Sequence, residues 1–207
     1  MTKRAVTVYS ELTPNPATIK FVADIMLLNG GESAEFLSIQ EAKGHSSMAE
    51  ALFAFPFVKS VFIVNNFVTI TKSSNIDWDL ISKDLRDFVK DWLENNDAAV
   101  EKMPSHREIA IENVNQEKVV ISEKPQLNTE MDKKIFDLLE EYVKPAVESD
   151  GGAIDFHSFE PESGIVNVVL RGSCSGCPSS TATLKGGIES LLKSQVPGVR
   201  AVVAMEG

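Results

Sequence analysis

Residues 164–192 read GIVNVVLRGSCSGCPSSTATLKGGIESLL. The β-branched run at its start predicts a strand over 164–170. Pro178 suits the first turn of a following helix, where a missing N–H costs no hydrogen bond. Thr181, Leu184, Ile188, Leu191 and Leu192 then share one helical face. Between strand end and helix start lies Arg171–Cys177, with cysteines at 174 and 177.

Working outward, Thr129 with Asp132 three residues later marks a helix start. Ile135, Leu138, Leu139, Tyr142, Val143 and Val147 continue it at helical spacing, and Pro145 is placed to kink its last turn. Asp150-Gly151-Gly152 reads as a turn into a strand over 153–159. A second turn at 160–164 leads to the strand quoted above. Pro197-Gly198 then turns into a last strand over 199–204. Residues 128–207 thus form a small domain of order α-β-β-α-β with its own core.

Residues 1–97 read as a second small domain, mixed α and β. Alternation predicts strands at 5–9, 19–28 and 34–39, with Asn29-Gly30-Gly31 closing a hairpin between the last two. Asn65-Asn66 marks another hairpin, joining 58–64 to 67–71. Thr13-Pro14-Asn15-Pro16 excludes helix nearby. Ser46 or Ser47 can cap a short helix, with Glu50 completing a capping box, Met48, Ala51, Leu52 and Phe55 as its apolar face, and Pro56 ending it. Asp77 opens a longer helix over 77–95 that buries Trp78, Ile81, Leu85, Phe88, Val89 and Trp92; the tryptophans belong to core or core edge. Residues 98–127 read as a solvated linker, with short strands at Ile109, Ile111 and at Val119, Ile121. The fold class is α+β.

Composition narrows the function. Thirty acidic against twenty basic residues give a net charge of -10. Both halves share it, so neither offers the basic face that nucleic acid requires, nor one suited to anionic lipid. No apolar stretch has membrane-spanning length. The first nine residues lack a signal-peptide or transit-peptide pattern, which makes the cytoplasm the expected compartment. The mitochondrial matrix, after loss of a transit peptide, is the alternative.

The chain has two cysteines in all. In Cys174-Ser175-Gly176-Cys177 their spacing lets two thiolates point at one centre from a tight loop, and helical N–H groups lower thiol pKa. Soft thiolate ligands favour zinc, copper(I) or an iron–sulfur cluster. A lone C-x-x-C fits a redox dithiol, half a zinc site or half a cluster site. Zinc and cubane clusters both want four ligands, and two chains about a twofold axis would bring four cysteines together. His157, on a strand, reads as a surface or edge residue. A thioredoxin-like dithiol has less support, because Arg171, Gly172 and Ser173 precede the first cysteine where an aromatic is usual. No nucleophile elbow and no phosphate-cradling loop occurs, and no enzymatic activity is expected.

The segments VKPAVESDGGAIDF at 143–156 and LRGSCSGCPSSTATLKGGIE at 170–189 resemble the NifU-type C-terminal domain. TPNPATIKF at 13–21 and ALFAFPFVKSVFIVNNFVTITK at 51–72 resemble the N-terminal domain of Nfu scaffold proteins. The resemblance implies an iron–sulfur cluster scaffold and carrier, not an enzyme. It implies a labile [4Fe-4S] cluster bridged between two subunits by Cys174 and Cys177 of each, with [2Fe-2S] or zinc as alternative cargo. The implied partners are upstream assembly machinery, apo iron–sulfur client proteins and a second copy of the chain on cluster binding. A thiol-disulfide oxidoreductase using the C-x-x-C pair is the alternative function.

Overall fold

The computed structural model describes residues 4–29, 31–73, 76–104, 109–112, 118–121, 127–175 and 178–206. The chain divides into two compact units, one of Met1–Pro104 with Asp150–Gly152 and one of Ser105–Ser149 with Ala153–Gly207. Helices and strands are mixed in both, as an α+β fold requires.

The first unit contains strands β1 (Val8–Leu12), β2 (Thr18–Ala23) and β3 (Ser33–Phe36), short helices α1 (Ile39–Ala42) and α2 (Ser47–Leu52), strands β4 (Val58–Val64) and β5 (Phe67–Lys72), and helix α3 (Trp78–Asn95). Its sheet is antiparallel throughout, in the order β1-β2-β5-β4-β3. Alternate residues give the face that meets the helices: Ile19, Phe21 and Ala23 from β2, Val61 and Ile63 from β4, Val68 and Ile70 from β5. Ile81, Leu85, Val89 and Leu93 of α3 close over them, as do Met48, Ala49 and Leu52 of α2. Trp78, Phe88 and Trp92 pack at the edge of this core, so the tryptophans are structural, and Phe88 stacks near Trp92 with ring centroids 6.0 Å apart.

The hairpin at Asn65-Asn66 forms, with Val64 opposite Phe67 and Asn65 at φ 47°. Asparagine tolerates that left-handed conformation better than other residues with a Cβ. The expected hairpin across Asn29-Gly30-Gly31 does not form. β3 pairs with β4 and β2 with β5, so the β4–β5 hairpin lies between them. β2 ends at Ala23, because the chain beyond it crosses the hairpin tip. There the Leu27 and Leu28 N–H groups both donate to the Asn65 carbonyl, at 2.6 and 2.9 Å. Gly30 itself lies outside the described residues.

The helix starts are partly as expected. Ser46 caps α2, its Oγ accepting from Ala49 N–H at 3.0 Å and donating to the Ala99 carbonyl at 2.7 Å. Glu50 does not close a capping box: its carboxylate accepts from Gly44 N–H, at 2.9 Å. Asp77 occupies the cap position of α3 with no side-chain capping bond.

The second unit begins with strands β6 (Ile109–Glu112) and β7 (Lys118–Ile121), which pair antiparallel with Ile109 opposite Ile121. It contains α4 (Glu130–Leu138), a π-helical turn (Leu139–Val143), α5 (Lys144–Ser149), β8 (Gly152–Glu160), β9 (Ile165–Gly172), α6 (Pro178–Gln195) and β10 (Ala201–Glu206). The order α-β-β-α-β holds if the three helical pieces before β8 count as one interrupted helix. The capping box at Thr129 and Asp132 is complete. The π turn falls just before Pro145, whose missing N–H cannot donate to the Glu141 carbonyl within that turn.

The three strands order as β10-β9-β8, with β10 parallel to β9 and Val202 opposite Val166. The four residues between β8 and β9 allow only an antiparallel neighbour. At that turn Gly164 has φ 73°, and a Cβ there would sit 2.5 Å from the Gly198 carbonyl. Ile154, Phe156, Val166, Val168, Leu170 and Val202 share a core with Ile135, Leu139, Val143, Val147, Ile188 and Leu192 of the helices and with Val196 just past α6. Tyr142 departs from its expected place: it is 58% exposed, because the π turn rotates it off the apolar face.

Candidate metal centre

β9 ends at Gly172 and α6 starts at Pro178, so the loop carrying Cys174 is held at both ends by rigid elements. The turn leaves β9 through Gly172, at φ 66°, a conformation that costs glycine little. Ser175 N–H donates to the Gly172 carbonyl at 3.3 Å, and Ser175 Oγ donates to the same carbonyl at 2.9 Å. Thr181, in the first turn of α6, donates from Oγ1 to the Cys174 carbonyl at 3.1 Å. That hydroxyl bridges the loop and the helix. Helical spacing alone assigned Thr181 to the apolar face, and nothing in the sequence singled out its hydroxyl.

Cys174 is 7% exposed and packs into the core of the second unit beside Ser173. Cys177, the other expected ligand, lies outside the described residues. In the sequence it immediately precedes Pro178, where α6 begins. The nearest basic side chain in sequence, Arg171, is 12% exposed and pairs through Nη1 with Asp155 Oδ2. Among the described residues no group of three or more His, Cys, Asp and Glu side chains could hold a metal.

His157 is expected at the surface or an edge: it lies on β8, an edge strand of the sheet, but it is buried. It is 8% exposed, with Nδ1 2.9 Å from Ser158 Oγ, which also accepts from Asn167 Nδ2 at 3.1 Å. Among the described residues its Nε2 has no hydrogen-bond partner. Burial holds the imidazole pKa below its ordinary value. Alternation does put Phe156 on the helix-facing side, but the opposite face of the sheet also buries Ala153 and Val169.

The described residues thus give a small α+β domain with Cys174 between a strand and a long helix. Two family models match this chain: the scaffold protein Nfu/NifU N-terminal domain over residues 8–96 and the NifU-like domain over residues 135–203. NifU-like proteins 4 and 5 of Arabidopsis thaliana, both named mitochondrial, are each 33% identical over 202 residues. That alignment spans 97% of this chain and 66% and 68% of those proteins. A mitochondrial NFU1 iron-sulfur cluster scaffold homolog of Drosophila willistoni is 31% identical over 98% of this chain and 64% of its own length. The chain therefore belongs to the Nfu/NifU-like iron–sulfur cluster scaffold family. It spans about two thirds of the length of these relatives. Among the described residues no helix is long and apolar enough to cross a membrane.

Proposed function

We propose that this protein carries a labile [4Fe-4S] cluster between two subunits, held by Cys174 and Cys177 of each, and passes it to apo-proteins. The single observation behind this reading is a C-x-x-C pair, the chain's only cysteines, in a segment matched by the NifU-like domain. A cubane usually takes four thiolates, and two chains supply four. The cluster is cargo. Few protein contacts would surround it at such a site, which suits release. Upstream assembly machinery loads it and client apo-proteins receive it. Residues 1–97 form the Nfu-type domain, 98–127 the linker and 128–207 the cluster-binding domain. Those relatives are named mitochondrial, which supports the matrix over the cytoplasm.

The dithiol-exchange alternative sits poorly with Cys174 at 7% exposure, since a reactive thiol needs access. The deciding experiment is transfer. Reconstituted protein is mixed anaerobically with an apo-enzyme that requires a cubane, and recovered activity is followed. Transfer from wild type and none from Cys174→Ser or Cys177→Ser supports the reading. Insulin reduction by the metal-free protein above background, without transfer, refutes it.

A further inference from the structure

The Cys174 loop owes its shape to side-chain hydroxyls as well as to backbone. Ser175 folds back onto Gly172, and Thr181 reaches from α6 to the Cys174 carbonyl. The Thr181 bond differs in kind from the Ser175 bonds, which lie within the turn. It ties the cysteine's own backbone to the long helix. Ile188 and Leu192 anchor that helix in the core, at 2% and 0% exposure. We infer that Thr181 is a positioning residue that sets how long the cluster is retained, by restraining Cys174 against the first turn of α6. It touches no metal. It acts through the cysteine's backbone, so it governs the opening of the loop and leaves the number of ligands unchanged.

This inference rests on the carrier reading, and the test separates the two. Thr181→Val keeps the shape and removes the donor. Thr181→Ala removes it with a better helix former. Thr181→Ser keeps the hydroxyl. Each full-length variant is reconstituted anaerobically, and loss of cluster absorbance after addition of an iron chelator is timed. One net hydrogen bond corresponds to release about threefold to tenfold faster in the Val and Ala variants. Iron loading should match wild type, and Thr181→Ser should restore the slow rate. A second arm needs no cluster. In metal-free protein carrying Cys177→Ser, alkylation of Cys174 by iodoacetamide should accelerate by a similar factor in the Val and Ala variants and not in the Ser variant. Equal release rates across the folded variants overturn the inference. If wild type takes up no iron, the carrier reading fails, and the alkylation arm alone decides the role of Thr181: equal alkylation rates overturn it.

Discussion

Glu189 on α6 accepts a hydrogen bond from Val202 N–H on β10 at 3.1 Å, while its other carboxylate oxygen pairs with Lys193. The helix that follows the cysteine loop is thereby tied to the edge strand of its sheet. The Lys193 bond, then the Val202 N–H, hold the Glu189 carboxyl below its ordinary value of 4.5. A carboxyl whose pKa is depressed by folding stabilises the native state above its unfolded pKa, and that stabilisation is lost as pH falls through the folded value. Glu189→Gln should lower the melting temperature at pH 7 and narrow its gap to wild type at pH 3. Thermal melts across that range, followed by circular dichroism, check it; a gap unchanged with pH contradicts the assignment.

The Thr129 cap has a direct stability consequence. Thr129 Oγ1 accepts from Asp132 N–H at 3.1 Å, and Asp132 Oδ2 accepts from Thr129 N–H at 2.8 Å. Thr129→Ala should cost about 1 kcal/mol. Urea unfolding read by circular dichroism should show a lower midpoint with an unchanged slope.

Leu85 is fully buried between α3 and the first sheet. Leu85→Ala leaves a cavity and should cost about 2–5 kcal/mol. Both tryptophans lie on α3, so intrinsic fluorescence reports this loss directly. A fluorescence transition within error of wild type would mean that the core is not packed as described.

His157 gives a pH dependence of the opposite kind from a surface histidine. Its pKa is lowered by burial from an ordinary 6.5, so as pH falls the unfolded chain takes the proton first. Its contribution is full above about pH 6.5 and declines below, by at most about 1.4 kcal/mol per pH unit for one proton. Denaturant midpoints should therefore fall more steeply between pH 7 and pH 5 in wild type than in His157→Gln. Parallel pH profiles would remove the buried imidazole from the account.

Much of this architecture is legible from residue pattern. Asn65-Asn66 gives its hairpin, the α3 periodicity its buried stripe, and Thr129 with Asp132 their capping box, because each rests on neighbours within a few residues. What spacing misses is long range. Nothing near Gly31 says that β4 and β5 will lie between β2 and β3. Alternation puts His157 opposite Phe156 but does not say that Ala153, His157 and Val169 on the second face are buried as well. The π turn moves Tyr142 outward through a backbone irregularity that helical periodicity does not anticipate. At the site, the cysteine pair is plain in the sequence. The Thr181 tie is not, since a threonine hydroxyl can serve an apolar face or a carbonyl equally well.

The central claim is most directly tested by anaerobic reconstitution with iron and sulfide, followed by iron and sulfide analysis and native mass spectrometry. Four thiolates from two chains around one cubane require about two iron and two sulfide per chain in a dimer, and a return to the metal-free form on chelation. Zinc alone, or a coloured monomer, would contradict the account.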